Sequence, residues 1–564
     1  MRGPAISFVL VTATGLAVAI IWLLVTLPPR VQSVDVTHWS SVPIDPTVRG
    51  VFHVHSDRSD GGASVDQIAA AAQRAGLQFV IFTDHGDARR IPDPPRYRSG
   101  VLCIDAVEIS TSGGHYIAMG LPQAQYPLAG EAHAVVEDVA RLGGFGIIAH
   151  PTSTKPSLAW TDWDLPFDGV EWLNGDNQWR DETTGTLGVA FARYMFRPSE
   201  TLASLLDRPD KTLARWDERT RQRSVVALAG SDAHAHLVPG GGGRELFDLE
   251  FPGYERVFRV FSIGVALDRA LAGASDAVGD AKLLEAGLRS GRVFTVIDAV
   301  ASPARFAFEG WVGTRRYPMG ARIVPPGPVE FRVRAAGPPG ARIVLLADGQ
   351  TVASASEPEL TFRANREAAY RVEVHVSKSP GTPPIPWIVS NPIYLGIEQA
   401  MPNPGPSLSP VTTHALDLAA WEVEHDAGSL ATSNNGPDRV ILNFELGHQP
   451  SAAAALVYRL ETETLEKFRR VVFEVRADQP TRAFVQLRAG GTDIDHRWRR
   501  SFYADTTTKT VTIPFYDLIA VRTDLPERAD LDRVTGLLVA IESINAVPGR
   551  PGRLIVIAPR LTSE

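Results

Sequence analysis

The chain has 564 residues, of which 44% are hydrophobic and 21% charged, and its net charge is −8. This length exceeds what one hydrophobic core can organise, so we expect several folded units. The negative charge gives no basis for binding a polyanion, and no nucleic-acid partner is expected. The one cysteine, Cys103, excludes an internal disulfide, and its apolar neighbours indicate a buried thiol.

The N-terminal stretch is apolar, with no charged residue between Arg2 and Arg30. Residues 5–28 are numerous enough to cross a hydrocarbon layer of about 30 Å as a helix. Because no small-residue cleavage pattern follows, the stretch predicts an uncleaved transmembrane anchor in a lipid bilayer. The very short tail ahead of it predicts that the large remainder is exported, to the periplasm or beyond. Residues 29–47 are polar and are expected to form a linker.

Strand-like and helix-like patterns alternate over residues 48–300. Val51–His55 reads as a short buried strand, and Ser64 with Gln67 forms a capping box that opens a helix closed by Gly76. Repeated alternation of this kind predicts an α/β fold class, with a mainly parallel sheet closed into a barrel.

Beyond residue 300 the helical pattern stops and strand alternation takes over. Residues 301–397 predict a small β-sandwich with a hairpin turn at Asp348-Gly349. A Pro-rich linker is expected over 398–412, and a second β-sandwich or jelly roll over 413–564. Certain aromatic residues of this last domain are open to two interpretations, a sugar-binding platform or core packing, and core packing is favoured. They are Trp421, Trp498, Phe502 and Tyr503.

Imidazoles and carboxylates recur where the predicted strands end. His53 and His55 are two residues apart, as are Asp232 and His234, and such residues point to one side of a strand. Active sites of α/β barrels lie at the carboxyl ends of the strands. Burying many ionisable groups without a metal is costly, and histidine and carboxylate ligands without cysteine suit zinc, manganese or iron. The set comprises His53, His55, Asp60, His85, Glu108, His115, His150, Asp232 and His234.

The ordered motifs HxH, SDG, TDH, Glu108, His115, AHP and SDAH resemble the PHP (polymerase and histidinol phosphatase) family of metal-dependent phosphoesterases over about residues 49–300. The resemblance implies a distorted seven-stranded (β/α) barrel holding two or three divalent ions. It also implies hydrolysis of a phosphate monoester or diester by a metal-activated hydroxide. By position, one ion would take His53, His55, Glu108 and Asp232, a second Glu108, His115 and His150, and a third Asp60, His85 and His234.

The substrate implied is a small phosphorylated or glycan-linked phosphate ester. Lys155, which closely follows His150, and Asn174, which follows a predicted strand, are the predicted substrate contacts. Asp84 is expected to orient a metal ligand from behind. Two alternatives stay open, a membrane-anchored, non-catalytic glycan-binding protein built on the same barrel, and metal-dependent hydrolysis of a non-phosphate bond. The complete ligand set favours the phosphoesterase, and nothing in the sequence indicates the oligomeric state.

Overall fold

The computed structural model describes residues 14–563, apart from 16, 19, 38, 40–44, 236–250, 325–326, 398–411, 461–464, 490–495 and 523. The predicted Pro-rich linker therefore lies, except for its last residue, outside the described part. Contacts divide the chain into two compact units. The first comprises Met1–Gly86, Pro92–Leu121 and Val139–Met401, and the second comprises Asp87–Ile91, Pro122–Asp138 and Pro402–Glu564.

Of the residues that the structure describes, 40% lie in strands and 20% in helices. The predicted α/β class was therefore wrong. It was assigned from the alternating pattern of the first half, whereas residues 301–397 and 412–563 are built almost wholly of strands. The barrel itself also contains antiparallel pairs, which apolar runs alone do not distinguish from parallel ones.

The predicted membrane anchor also needs correction. Within the described part of the chain, no helix is both long enough and apolar enough to cross a bilayer. A span needs about 20 helical residues, and within the stretch 5–28 residues 5–13, 16 and 19 lie outside the described part. The anchor predicted over 5–28 was therefore wrong, and with it the membrane-anchored localisation. The prediction rested on apolar composition, which by itself does not establish a spanning helix.

Seven strands form a closed barrel in the first unit. Strand β2 closes it, because β2 pairs in parallel with β3 on one side and with β9 on the other. The ring runs β2-β3-β5-β6-β7-β8-β9, and only β6 is antiparallel to its neighbours. The strands of this part are β1 (Gln32–Ser33), β2 (Thr47–Val54), β3 (Phe79–Phe82), β4 (Arg96–Arg98), β5 (Val101–Thr111), β6 (Gly114–Met119), β7 (Phe145–Ile148), β8 (Gly169–Asn174), β9 (Val226–Ala233), β10 (Ser262–Ala266) and β11 (Val293–Val296).

Short helices connect the barrel strands. The first begins after Ser64, whose hydroxyl accepts from the Gln67 backbone N–H while the Gln67 side chain accepts from the Ser64 N–H. This confirms the predicted capping box. The helices are α1 (Val65–Arg74), α2 (Ala132–Arg141), α3 (Gly175–Arg180), α4 (Thr184–Tyr194), α5 (Pro198–Ala203), α6 (Asp210–Thr220), α7 (Tyr254–Phe258) and α8 (Ala277–Arg289).

The stretch 301–397 belongs to the same compact unit as the barrel. One of its sheets continues the barrel sheet, since β21 pairs with β11. The other has the order β14-β13-β16-β19. The hairpin predicted at Asp348-Gly349 joins β17 to β18. The strands are β12 (Ala301–Ser302), β13 (Arg305–Val312), β14 (Arg315–Pro318), β15 (Arg322–Ile323), β16 (Val329–Ala336), β17 (Arg342–Ala347), β18 (Gln350–Ala355), β19 (Glu359–Ala364), β20 (Ala368–His375), β21 (Ile388–Ser390) and β22 (Ile393–Leu395).

The second unit contains two six-stranded antiparallel sheets that share one core. Trp421, Trp498 and Phe502 are buried in that core, which confirms core packing over a sugar platform for these three. The strands are β23 (Thr413–Ala415), β24 (Trp421–His425), β25 (Leu430–Asn435), β26 (Arg439–Glu445), β27 (Ala453–Arg459), β28 (Arg470–Ala477), β29 (Thr481–Ala489), β30 (Arg497–Ala504), β31 (Lys509–Pro514), β32 (Ile519–Ala520), β33 (Val534–Glu542) and β34 (Gly552–Thr562).

A buried arginine joins distant stretches within this second unit. Arg482 on β29 donates to both carboxylate oxygens of Asp138, at 3.0 and 2.8 Å. The nearby His133 is largely buried, and its Nδ1 has no hydrogen-bond partner. Burial and the positive charges of Arg500 and Arg482 lower the pKa of His133 to about 4, from an ordinary value of 6.5.

His133 predicts a measurable loss of stability in mild acid. The folded chain keeps this imidazole neutral down to about pH 4, whereas the unfolded chain takes up a proton below about pH 6.5. Stability should therefore fall as the pH falls through this window. We expect His133→Gln to remove part of the fall, measured as melting temperature at pH 7 and pH 4.5. An unchanged difference between the two pH values would show that His133 does not contribute.

Candidate metal centre

The nine predicted ligands come together at one end of the barrel. His53 lies on β2 and His55 directly follows it, Glu108 lies on β5, His115 on β6 and Asp232 on β9. The others lie in the segments that follow β2, β3, β7 and β9. Their ligand atoms fall within 4.8 Å of one another in four overlapping groups. The groups are His55/Asp60/His85/His234, His53/His55/Glu108, His53/His150/Asp232 and His85/Glu108/His115.

The Glu108 carboxylate contacts more imidazoles than any other described side chain of the cluster. Its Oε1 lies 2.8 Å from Nδ1 of His115 and 2.8 Å from Nε2 of His150. Its Oε2 lies 3.3 Å from Nε2 of His53, 3.2 Å from Nε2 of His55 and 3.3 Å from Nδ1 of His85. Glu108 is almost fully buried, at 1% exposure. A carboxylate that touches five imidazoles with two oxygens has the geometry of a bridging ligand.

The cluster opens to solvent on one side. Asp232 is buried, with Oδ1 at 3.2 Å from Nε2 of His53 and 3.3 Å from Nε2 of His55. Asp60, by contrast, has a side chain that is 52% exposed, and that of His85 is 34% exposed. Asp60 Oδ2 lies 3.5 Å from Nε2 of His85 and 3.4 Å from Nε2 of His234. A solvent-borne substrate can therefore reach the Asp60 side of the cluster.

Several imidazoles are held by the ring nitrogen that faces away from the cluster. His53 Nδ1 contacts Glu171 Oε1 at 2.6 Å, and His150 Nδ1 contacts the Leu158 carbonyl at 3.1 Å. His234 Nδ1 contacts the Asp232 carbonyl at 2.9 Å. Each acceptor can hold a proton on Nδ1, so that Nε2 is the nitrogen that would offer a lone pair to an ion. Metal-binding histidines in proteins are usually held in this way.

The backbone is strained at three of the ligands. His53 has φ 63°, His150 has φ 28° and Asp232 has φ 49°. Non-glycine residues rarely adopt positive φ, and each such residue costs on the order of 1–3 kcal/mol. Strain of this kind is concentrated at functional sites, where the surrounding structure holds it in place. Here it turns three ligand side chains toward a common centre.

The loop that carries Asp60 is held by a buried carboxylate. Asp84 accepts hydrogen bonds from the Ser56 N–H at 2.7 Å, the Ser56 hydroxyl at 2.8 Å and the Ser59 hydroxyl at 2.9 Å. Gly61 is required next to it, because a Cβ there would lie 2.3 Å from the His55 carbonyl oxygen. Asp84 thus acts on the loop between His55 and Asp60.

Mutual electrostatics in the cluster are strong. Burial alone would lower the pKa of His53, but the carboxylates of Asp232, Glu171 and Glu108 raise it well above its ordinary value. Burial likewise opposes ionisation of Glu108, yet the charge of His53 and hydrogen bonds from His115 and His150 hold its pKa well below the usual range. Imidazole and carboxylate charges therefore stabilise one another without an ion, and a metal would compete with these protons.

The donor set fits divalent metal ions. Imidazole nitrogens and carboxylate oxygens converge with no thiolate among them, a donor set that zinc, manganese and iron accept. His55 Nδ1 is buried and has no hydrogen-bond partner, although it lies 3.3 Å from Asp60 Oδ1. The orphaned nitrogen belongs to the same group as Asp60, His85 and His234. A neutral imidazole offers one lone pair, so an ion in that group would satisfy Nδ1 if the proton of the ring lay on Nε2, which faces Glu108 and Asp232.

The two predicted substrate contacts differ in position. Lys155 is exposed on the loop after β7. Asn174 is buried, and its amide nitrogen donates to Glu171 at 2.9 Å and to Asp232 at 3.2 Å. Its oxygen accepts from the Asn177 N–H, so all its polar atoms are used within the protein. A cavity of about 390 Å³ lies alongside, lined by Pro151, Asn174 and Lys211 among others.

Two residues at the centre were missed from the sequence. Glu171 is the one charged residue of the apolar strand β8, and that isolation was the available signal. Ser110 Oγ lies 3.2 Å from Nε2 of His115, whose Nδ1 faces Glu108. Only the antiparallel register of β5 and β6, which places Ser110 opposite His115, brings this pair together. No sequence spacing indicates it.

Comparison with known proteins gives similarities to solved structures alone. No family model matches the chain, and no curated protein matches it. A family 11 carbohydrate-binding module from Clostridium thermocellum, in complex with a beta-1,3-1,4-mixed-linked tetrasaccharide, is 16% identical with a TM-score of 0.24, over 27% of this chain and 96% of that one. The agarase AgWH50C is 10% identical with a TM-score of 0.21, over 27% of this chain and 24% of that one. These similarities carry no functional argument.

Because Glu108 contacts five of the imidazoles, substituting it is expected to lower the number of metal ions bound per chain. Glu108→Gln keeps the side-chain shape but replaces one oxygen with an amide nitrogen, which cannot bind an ion. We expect the variant, purified with saturating Zn²⁺, to hold at least one ion fewer per chain by elemental analysis. Glu424→Gln is the matched control, because Glu424 pairs with Arg488 in the second unit. Equal metal content in both variants would contradict the bridging assignment.

Proposed function

We propose that the chain is a metal-dependent phosphoesterase of the PHP type, which hydrolyses a phosphate monoester or diester. The observation that carries this proposal is the convergence of six imidazoles and three carboxylates, Glu108 among them, at one end of a seven-stranded barrel. The order of these residues along the chain is the order that resembles the PHP family.

The residues proposed to bind the divalent ions are the nine ligands of the cluster. Divalent ions bound there would lower the pKa of a water molecule toward neutrality and offset the charge of phosphoryl oxygens. Other residues of the chain hold the ligand side chains in their positions before a substrate binds. Glu171, Leu158 and the Asp232 carbonyl hold imidazoles in one orientation, and Asp84 holds the loop that carries Asp60.

The accessible side of the cluster sets where a substrate can enter. Asp60 and His85 are exposed, whereas His53, His55, Glu108 and His150 are buried. A phosphate ester would therefore approach from the Asp60 side, with its organic part directed away from the buried ligands. The exposed Lys155 lies on the loop that follows His150 and is a candidate for contacting phosphate oxygens.

The test uses the full chain with Mn²⁺ or Zn²⁺ and a panel of aryl phosphate monoesters and diesters. Turnover is expected in the wild type and is expected to fall to background in His53→Ala/His55→Ala. The matched control is His414→Ala/His425→Ala, since both histidines are exposed in the second unit. Control activity equal to the wild type would show that loss in the first variant is specific to the cluster.

Ser110 allows a test between two mechanisms, a serine nucleophile and a metal-activated water. Its hydroxyl contacts His115, and His115 in turn contacts Glu108, which is the arrangement a serine nucleophile would use. A serine nucleophile would require the Ser110 hydroxyl, whereas hydrolysis by a metal-activated water would not. We expect Ser110→Ala to retain most of the activity. Loss of all turnover in Ser110→Ala, or bound metal with no turnover on any ester, would contradict the proposal.

A further inference from the structure

Glu171 is a fully buried carboxylate directly behind the metal centre. Its Oε1 lies 2.6 Å from His53 Nδ1. Its Oε2 accepts from the His150 backbone N–H at 2.7 Å and from the Asn174 amide at 2.9 Å. Both oxygens are therefore occupied by donors, and two of the three donors belong to predicted ligand residues. Asn174 extends the contact to a third, because it also donates to Asp232.

A strand irregularity allows this arrangement. In a regular strand, residues three apart point to opposite faces, so Glu171 and Asn174 would not meet. The pairing of β8 with β9 shifts register between Glu171 and Leu173. Such a bulge re-aims the side chains that follow it and is common beside active sites. Here it brings Asn174 onto the same side as Glu171.

The neighbouring strand leaves space for the carboxylate. Gly230 on β9 lies opposite this part of β8, and a Cβ there would sit 1.7 Å from Glu171 Oε1. Only glycine permits the carboxylate to occupy this position. The carboxylate charge of Glu171, the bulge in β8 and the absence of a side chain at Gly230 together allow Glu171 to contact His53.

We infer that Glu171 is a positioning residue that fixes the tautomer of His53, so that Nε2 is free to bind an ion. The inference rests on the metal centre of the proposed function. The Glu171 carboxylate accepts a hydrogen bond from His53 Nδ1–H and holds the ring in place. Asn174 donates to both Glu171 and Asp232 and so fixes their relative position. Outer hydrogen-bond partners of this kind typically contribute about 10- to 100-fold to metal affinity.

Glu171→Gln tests this directly because it is nearly isosteric. The amide oxygen is needed at the Oε2 position, where two donors meet, so the amide nitrogen must face His53 Nδ1. An N–H group there forces Nδ1 to accept, which moves the imidazole proton to Nε2. The ring then points a proton at the cluster and opposes metal binding. A structural role alone would lower stability without this effect on affinity.

The experiment measures Zn²⁺ affinity of the full chain by competition with a fluorescent chelator, and the visible absorption of the Co²⁺-loaded chain. Glu171→Gln is expected to lower the affinity for at least one Zn²⁺ ion about 10- to 100-fold and to change the Co²⁺ spectrum. Glu373→Gln is the matched control. Glu373 is similarly buried and accepts from Arg371 and Arg208, neither of which is a predicted ligand. It is expected to lower the melting temperature with wild-type Zn²⁺ affinity.

The outcomes separate this inference from the proposed function. Weakened Zn²⁺ binding in Glu171→Gln alone supports the positioning role, even if no phosphate ester is hydrolysed. Wild-type affinity and an unchanged Co²⁺ spectrum in Glu171→Gln overturn it, even if the wild type is an active phosphoesterase. Equal weakening in Glu373→Gln also overturns it, because the effect would then follow from lost stability.

Discussion

The contact of one buried carboxylate with five imidazoles is the interaction on which the rest of the centre depends. Glu108 lies within 3.3 Å of His53, His55, His85, His115 and His150. Burying so many ionisable groups is costly unless each has a partner of opposite charge or a metal. The barrel supplies the means, since closing seven strands into a ring brings ligands from β2, β5, β6 and β9 to one end. Removing Glu108 would leave the imidazoles facing one another.

The backbone and the strand pairing of the barrel are irregular around the Glu108 contacts. His53, His150 and Asp232 adopt positive φ, β2 and β9 lose regular pairing near the histidines, and β8 is bulged beside Glu171. These departures are compensated by hydrogen bonds from elements that surround the site. Tyr254 donates to the carbonyls of both His55 and His234, which joins the segments after β2 and β9. The strain is thus distributed over a rigid frame that keeps the ligands in place.

Much of the site follows from the sequence, because ligand spacing and strand ends are local features. The pairs His53/His55 and Asp232/His234, and the capping box at Ser64, needed only period-two and helix-start patterns. Glu171 was missed because its role depends on pairing between β8 and β9, and Ser110 because it depends on the register of β5 and β6. The fold class failed for a related reason, since local periodicity gives neither strand direction nor the share of the chain in sheets. The membrane anchor failed because it was predicted from apolar composition alone.

Anomalous diffraction from crystals grown with Mn²⁺ or Zn²⁺ tests the central claim most directly. Data collected at the absorption edge of the metal locate each ion without assuming its ligands. We expect anomalous peaks at the barrel end, within bonding distance of Glu108, with at least one also bonded to His53 or His55. Metal-replete crystals with no peak among these side chains would contradict it, and peaks only elsewhere on the chain would do so equally.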